Sequence, residues 1–147
     1  MSSKFNHPIE FECLLEVRNL RFALAHISWP WCDDLIALYG KFIHARRARP
    51  DLNVEMFIDT TPGTPPIYRK EALRKLFTVG YDIENNVMFG SDSSAEHYDA
   101  SNAADLVYET SGITATIAED KRILKDLEIP ETTIAKYLSA NLASFFR

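Results

Sequence analysis

The sequence predicts an α/β fold: a thin parallel sheet of about three strands, flanked by helices and followed by further helices toward the carboxyl terminus. Three short apolar runs, at 20–25, 54–59 and 87–89, alternate with longer stretches whose apolar residues recur at helical spacing. Strands alternating with helices of that length imply parallel pairing through right-handed crossovers. Each run also stops abruptly in polar or titratable residues: His26 after the first, Asp59 at the end of the second, and Gly90-Ser91-Asp92-Ser93-Ser94 after the third.

Residues 1–6 carry no periodic signal. Pro8 opens a predicted helix that ends about Arg18, with Ile9, Phe11, Leu14, Leu15 and Val17 inward and Glu10, Glu12 and Glu16 outward. Cys13 lies within that apolar stripe and is expected in the core. Asn19 turns the chain into the first strand. Beyond Pro30, Asp33 or Asp34 starts a helix carrying Leu35, Ile36, Leu38, Tyr39, Phe42 and Ile43 inward. Arg46-Arg47-Ala48-Arg49 and Pro50 stop it, the cations complementing the helix dipole.

After the second strand, the loop at 60–66 is stiffened by Pro62, Pro65 and Pro66. A helix over 67–79 follows, with Ile67, Ala72, Leu73, Leu76 and Phe77 inward and Arg69, Lys70, Arg74 and Lys75 outward, and Gly80 is its stop. The third strand leads through a loop at 93–101 to a short helix at 103–108, a break at Ser111-Gly112 and a longer helix over 114–127. Pro130 and Glu131 open a last helix on which Ile134, Tyr137, Leu138, Leu142, Phe145 and Phe146 repeat at helical spacing.

A chain of 147 residues is one average domain, long enough to bury a core, and it is expected to form a single domain over 1–147. The net charge of -5, with no basic stripe, argues against a nucleic-acid or anionic-membrane partner. No stretch resembles a signal peptide or a membrane span, so a cytoplasmic location is expected. Cys13 and Cys32 stand at neither metal-ligand nor redox spacing, and Cys32 has no adjacent base to make it a nucleophile. No glycine-rich phosphate loop follows any strand, which disfavours a nucleotide-binding sheet.

The chemistry centres on the strand ends. In a parallel sheet His26, Asp59 and Asp92 lie on one side, where loops face a shared crevice. Asp92 there is a candidate ligand or base, although capping the next helix is the alternative. An imidazole and a carboxylate beside one divalent cation could hold and deprotonate a water, but a catalytic zinc commonly takes three protein ligands.

The runs Phe22-Ala23-Leu24-Ala25-His26-Ile27-Ser28-Trp29-Pro30-Trp31, Asn53-Val54-Glu55-Met56-Phe57-Ile58-Asp59 and Val87-Met88-Phe89-Gly90-Ser91-Asp92-Ser93 resemble the C-terminal portion of amidohydrolase-related (amidohydrolase family 2) proteins. That group includes metal-dependent hydrolases and related nonoxidative decarboxylases. The resemblance implies a partial (β/α)8 TIM barrel, in which these strands correspond to the last three of eight, with a divalent metal, zinc or manganese, at their carboxyl ends. It implies that His26 binds metal or assists proton transfer and that Asp92 contacts the metal and accepts a proton from bound water. Trp29, Trp31 and His97 would contact a small-molecule substrate, while Asp59 would cap a loop. The family's first-strand histidine pair and its fourth- and fifth-strand ligands have no counterpart here, and a whole barrel of this kind takes about 250 residues. Two outcomes follow: a chain that works with a complementing chain, or a noncatalytic half-barrel remnant acting as an interaction module that forms a homo-oligomer to cover its strand edges.

Overall fold

A computed structural model describes residues 3–92 and 103–147, with side chains described for 5–92 and 112–147. Strands β1 (Arg21–Leu24), β2 (Glu55–Asp59) and β3 (Val87–Met88) form a parallel sheet in the order β1-β2-β3. The α/β class and the three parallel strands therefore follow the sequence expectation. Phe22 stands opposite Met56, Leu24 opposite Ile58, and Ile58 opposite Val87. Because strand side chains alternate between faces, these residues share one face, and Ala23, Phe57 and Met88 share the other.

The first face carries the core. Helices α1 (Cys32–Ala48) and α2 (Pro66–Thr78) bring Leu35, Leu38, Phe42, Leu73 and Leu76 into one cluster with Met56 and Ile58. Phe22 meets Phe42 edge-on at 5.2 Å between ring centroids. Full burial of each such side chain contributes about 1.5–3 kcal/mol. The second face is covered differently, since Phe57 receives Phe145 at 5.1 Å and the Arg21 guanidinium at 5.1 Å. A parallel sheet buried on both faces reads as a continuous apolar run, and Met56-Phe57-Ile58 is one.

Helix α3 (Ala103–Asp126) is continuous, so the expected break at Ser111-Gly112 does not occur. One interior glycine costs a helix only about 1 kcal/mol relative to alanine, and Thr116 Oγ1 donates to the Gly112 carbonyl at 3.1 Å across that turn. The last helix is not uniform either. It runs as α4 (Glu131–Ala135), a π-helical segment (Lys136–Ala140) and α5 (Asn141–Phe145). The Asn141 N–H bonds the Lys136 carbonyl, one residue farther back than an α-helix would use. The Tyr137 carbonyl accepts instead from the Phe89 N–H at 2.9 Å, and Asn141 Nδ2 donates to the Glu84 and Val87 carbonyls at 2.9 and 2.7 Å. Those bonds fasten the terminal helix to β3.

Several side-chain expectations are corrected, among them the inward placement of Ile9 and Val17, which are 48% and 43% exposed. The segment Pro8–Glu16 is a 3-10 helix, not an α-helix. Its three-residue turn aligns Cys13 with Glu10 and Glu16, and all three are exposed. Ile67 is 81% exposed and Arg69 only 5%, the reverse of the expected orientation, because the buried stripe of α2 runs through Arg69, Ala72, Leu73 and Leu76. Leu142 and Phe146 are exposed rather than inward. Among the described residues no helix is long and apolar enough to cross a membrane.

Candidate functional site at the carboxyl edge of the sheet

The carboxyl ends of the three strands open on one edge, and two glycines let the loops there close up. Asp59 Oδ1 accepts from the Thr61 N–H at 2.7 Å and from the Thr61 hydroxyl. Asp59 thus caps the loop that leaves β2. A Cβ on Gly90, just past β3, would collide with Thr61 Oγ1 and come within 2.8 Å of Asp59 Oδ1. Only the absence of a side chain at position 90 lets the continuation of β3 pass this close to the β2 loop.

His26 stands two residues beyond β1, where His26, Ile27 and Ser28 have φ of 57, 50 and 48°. Three successive left-handed residues reverse the chain sharply and turn the imidazole toward the 60–64 loop. Its Nδ1 lies 3.4 Å from the Thr61 carbonyl, which can only accept, so in that contact Nδ1 is the donor. Thr64 Oγ1 donates to the His26 carbonyl at 3.3 Å. A Cβ on Gly63 would sit 2.5 Å from Nδ1, so the ring rests directly on the Gly63 backbone.

His26, Trp29 and Trp31 line a common cavity of about 360 Å³, with Phe11 and Ser28 among their neighbours. The sequence-predicted substrate-binding tryptophans are therefore placed beside the predicted histidine. Asp92 is exposed, has φ 57°, and is not among the residues lining that cavity. His97 lies outside the described residues. His7 caps the 3-10 helix by accepting from the Ile9 N–H at 3.3 Å and approaches Asp34 at 3.4 Å, while His44 is exposed. Burial, followed by the charge of Asp33, pushes the Cys32 thiol up, which opposes thiolate formation.

The described residues do not fit a complete metal centre. Among them no group of three or more His, Cys, Asp or Glu residues is placed to hold an ion. One oxygen of Asp59 is already engaged by Thr61. A catalytic zinc takes three protein ligands, so His26 and Asp92 would be a partial set.

Directly behind this edge is a buried polar network that the sequence reading missed. Arg69 Nε and Nη2 each donate to an Asp120 oxygen at 2.6 Å, and Nη2 also reaches the Thr60 carbonyl at 3.0 Å. The Tyr137 hydroxyl donates to Asp120 at 2.6 Å and lies 2.6 Å from Thr60 Oγ1. Burial and the Asp120 charge hold the Tyr137 phenol well above its ordinary range. Although burial opposes the charge of Arg69, its bonds to Asp120 outweigh that and raise its pKa. Arg69 Nη1 is buried and has no hydrogen-bond partner among the described residues. A signal was present: Arg69 precedes Ala72 and Leu73 by three and four positions, and Asp120 stands likewise before Ile123 and Leu124, so both fall on buried stripes.

Fold and site together define an α/β protein with a three-stranded parallel sheet and a polar carboxyl edge built around His26, Asp59 and the 60–64 loop. No family model, curated protein or solved structure matches the chain.

Proposed function

We propose that this chain is an amidohydrolase-related protein, a cytoplasmic relative of the metal-dependent hydrolases that corresponds to the last three strand-helix units of a (β/α)8 barrel. In this reading His26 and Asp92 are the chain's catalytic and metal-binding pair. Asp92 is the general base, His26 the metal or proton-transfer residue, and Trp29, Trp31 and His97 face a small-molecule substrate. The observation that carries the reading is the parallel order β1-β2-β3, which brings three successive polar strand ends to one edge. That edge is where α/β barrels and open sheets place their ligands. The remaining ligands for zinc or manganese, and the strands that hold them, come from outside the described residues. Nonoxidative decarboxylation would use the same edge.

Elemental analysis after dialysis against zinc or manganese tests this reading. The expected result is metal bound by the protein and lost from both His26→Asn and Asp92→Asn. Asparagine is the appropriate replacement because it tolerates the left-handed backbone of both positions. Equal metal retention in both variants would remove the pair from the site.

A second reading, a noncatalytic half-barrel serving as an interaction module, is favoured by the incomplete ligand set. Among the described residues, β1 and β3 each have one strand neighbour. Light scattering is then expected to give the mass of an oligomer, and a clean monomer would contradict it.

A further inference from the structure

A second cavity, of about 220 Å³, lies against α1 and α2 and shares Trp29 and Trp31 with the first. Trp29 stacks on Tyr68 with ring centroids 4.7 Å apart and planes 26° from parallel, so this wall is an aromatic slab. Tyr68 is 45% exposed, leaving part of its ring open to a ligand. The polar part of the lining is one-sided: Asp33, Asp34 and Glu71 stand against the single ammonium of Lys75. Lys75 Nζ lies 3.0 Å from Asp33 and 3.2 Å from Glu71, so its charge is already shared between two carboxylates.

This combination selects by charge. An anion would meet three carboxylates with no uncommitted cation among the lining residues. A neutral apolar ligand draws nothing from those carboxylates, whose side chains stand 56–73% exposed and keep their water. A cation with an apolar coat gains both from the negative faces of the rings and from the net negative lining. We propose that this cleft binds a small organic cation, an alkylated or quaternary ammonium group, against the Trp29-Tyr68 stack and Trp31. The inference does not rest on the metal chemistry proposed for His26 and Asp92.

The chain contains two tryptophans, and both line this cleft, so intrinsic fluorescence reports on it directly. The full chain is titrated with choline and, separately, with its neutral carbon isostere 3,3-dimethylbutan-1-ol, at ionic strength matched with sodium chloride. A saturable response to choline is expected, with the isostere binding at least about tenfold more weakly. Tyr68→Leu and Glu71→Gln, both at exposed positions, should weaken choline several-fold, with urea denaturation showing that each variant is folded under the titration conditions. Equal affinity for the two ligands overturns the proposal, as does the absence of a saturable response from folded protein. Because both tryptophans also line the His26 cavity, His26→Asn is titrated in parallel. Choline binding that is lost in His26→Asn but intact in Tyr68→Leu places the ligand in the other cavity and equally overturns the proposal.

Discussion

His26 and Asp92 share an uncommon backbone, each at φ 57°, and Ile27 and Ser28 continue it beside His26. Left-handed geometry costs an L-residue on the order of 1–2 kcal/mol and is worst for a β-branched side chain such as Ile27. It is held here because Ile27 is fully buried and the Thr64 hydroxyl grips the His26 carbonyl. Sparsely populated backbone held this way is what sites use to aim a side chain. The orientation of the imidazole then depends on Gly63. Imidazole nitrogen NMR should show a protonated Nδ1 at His26, as donation to Thr61 requires. Gly63→Ala should displace the ring, alter that signature and cost about 1–3 kcal/mol of stability through overpacking. An Nε2–H tautomer, or an unchanged ring signature in Gly63→Ala, would contradict this account of the site.

At the scale of elements, α2, α3 and the terminal helix are joined through Arg69, Asp120 and Tyr137 just behind the carboxyl edge. Asp120 is fully buried, so removing its charge strands the Arg69 guanidinium. Asp120→Asn should lower the unfolding free energy by about 3–5 kcal/mol in urea denaturation. The double variant Arg69→Met/Asp120→Asn should lose less than the two single changes summed, because the uncompensated charge is gone. A loss under about 1 kcal/mol for Asp120→Asn would mean that the network is not a structural tie. The elements themselves were largely legible: the strand runs and helices α1 and α2 are local patterns, and the structure places their bounds within a residue or two. The orientation of Arg69 was not, because treating every charge as outward overrode the spacing to Ala72, Leu73 and Leu76. Cys13 was misplaced for a related reason, since α-helical spacing was applied to a segment that turns every three residues.

The sheet as a whole is tied at its amino edge by Glu55. Its carboxylate accepts from Arg21 and Arg46 at 3.0 Å each and from Asn86 at 3.2 Å, linking β1, α1 and the approach to β3. Burial alone would raise its pKa, but the Asn86 bond and the two guanidinium groups outweigh that and lower it. A depressed carboxyl stabilises the fold above its unfolded value of about 4.3 and loses that contribution as pH falls through the lower folded value. Glu55→Gln should therefore cost about 1 kcal/mol at neutral pH, and the gap to the unsubstituted protein should shrink in acid. A gap independent of pH would show that the cost is packing rather than charge. Parallel order and the common edge were readable from alternation alone, whereas the closeness of the loops at that edge depends on Gly63 and Gly90, whose neighbours lie far away in sequence.

The proposed convergence of His26 and Asp92 on one ion is tested most directly by manganese(II) relaxation in an amide-resolved NMR spectrum of the chain. Substoichiometric manganese should broaden the amides around positions 26 and 92 first, and His26→Asn or Asp92→Asn should abolish that pattern. Broadening centred on other carboxylates, or unchanged in both variants, would contradict the claim and leave a polar sheet edge without a metal site.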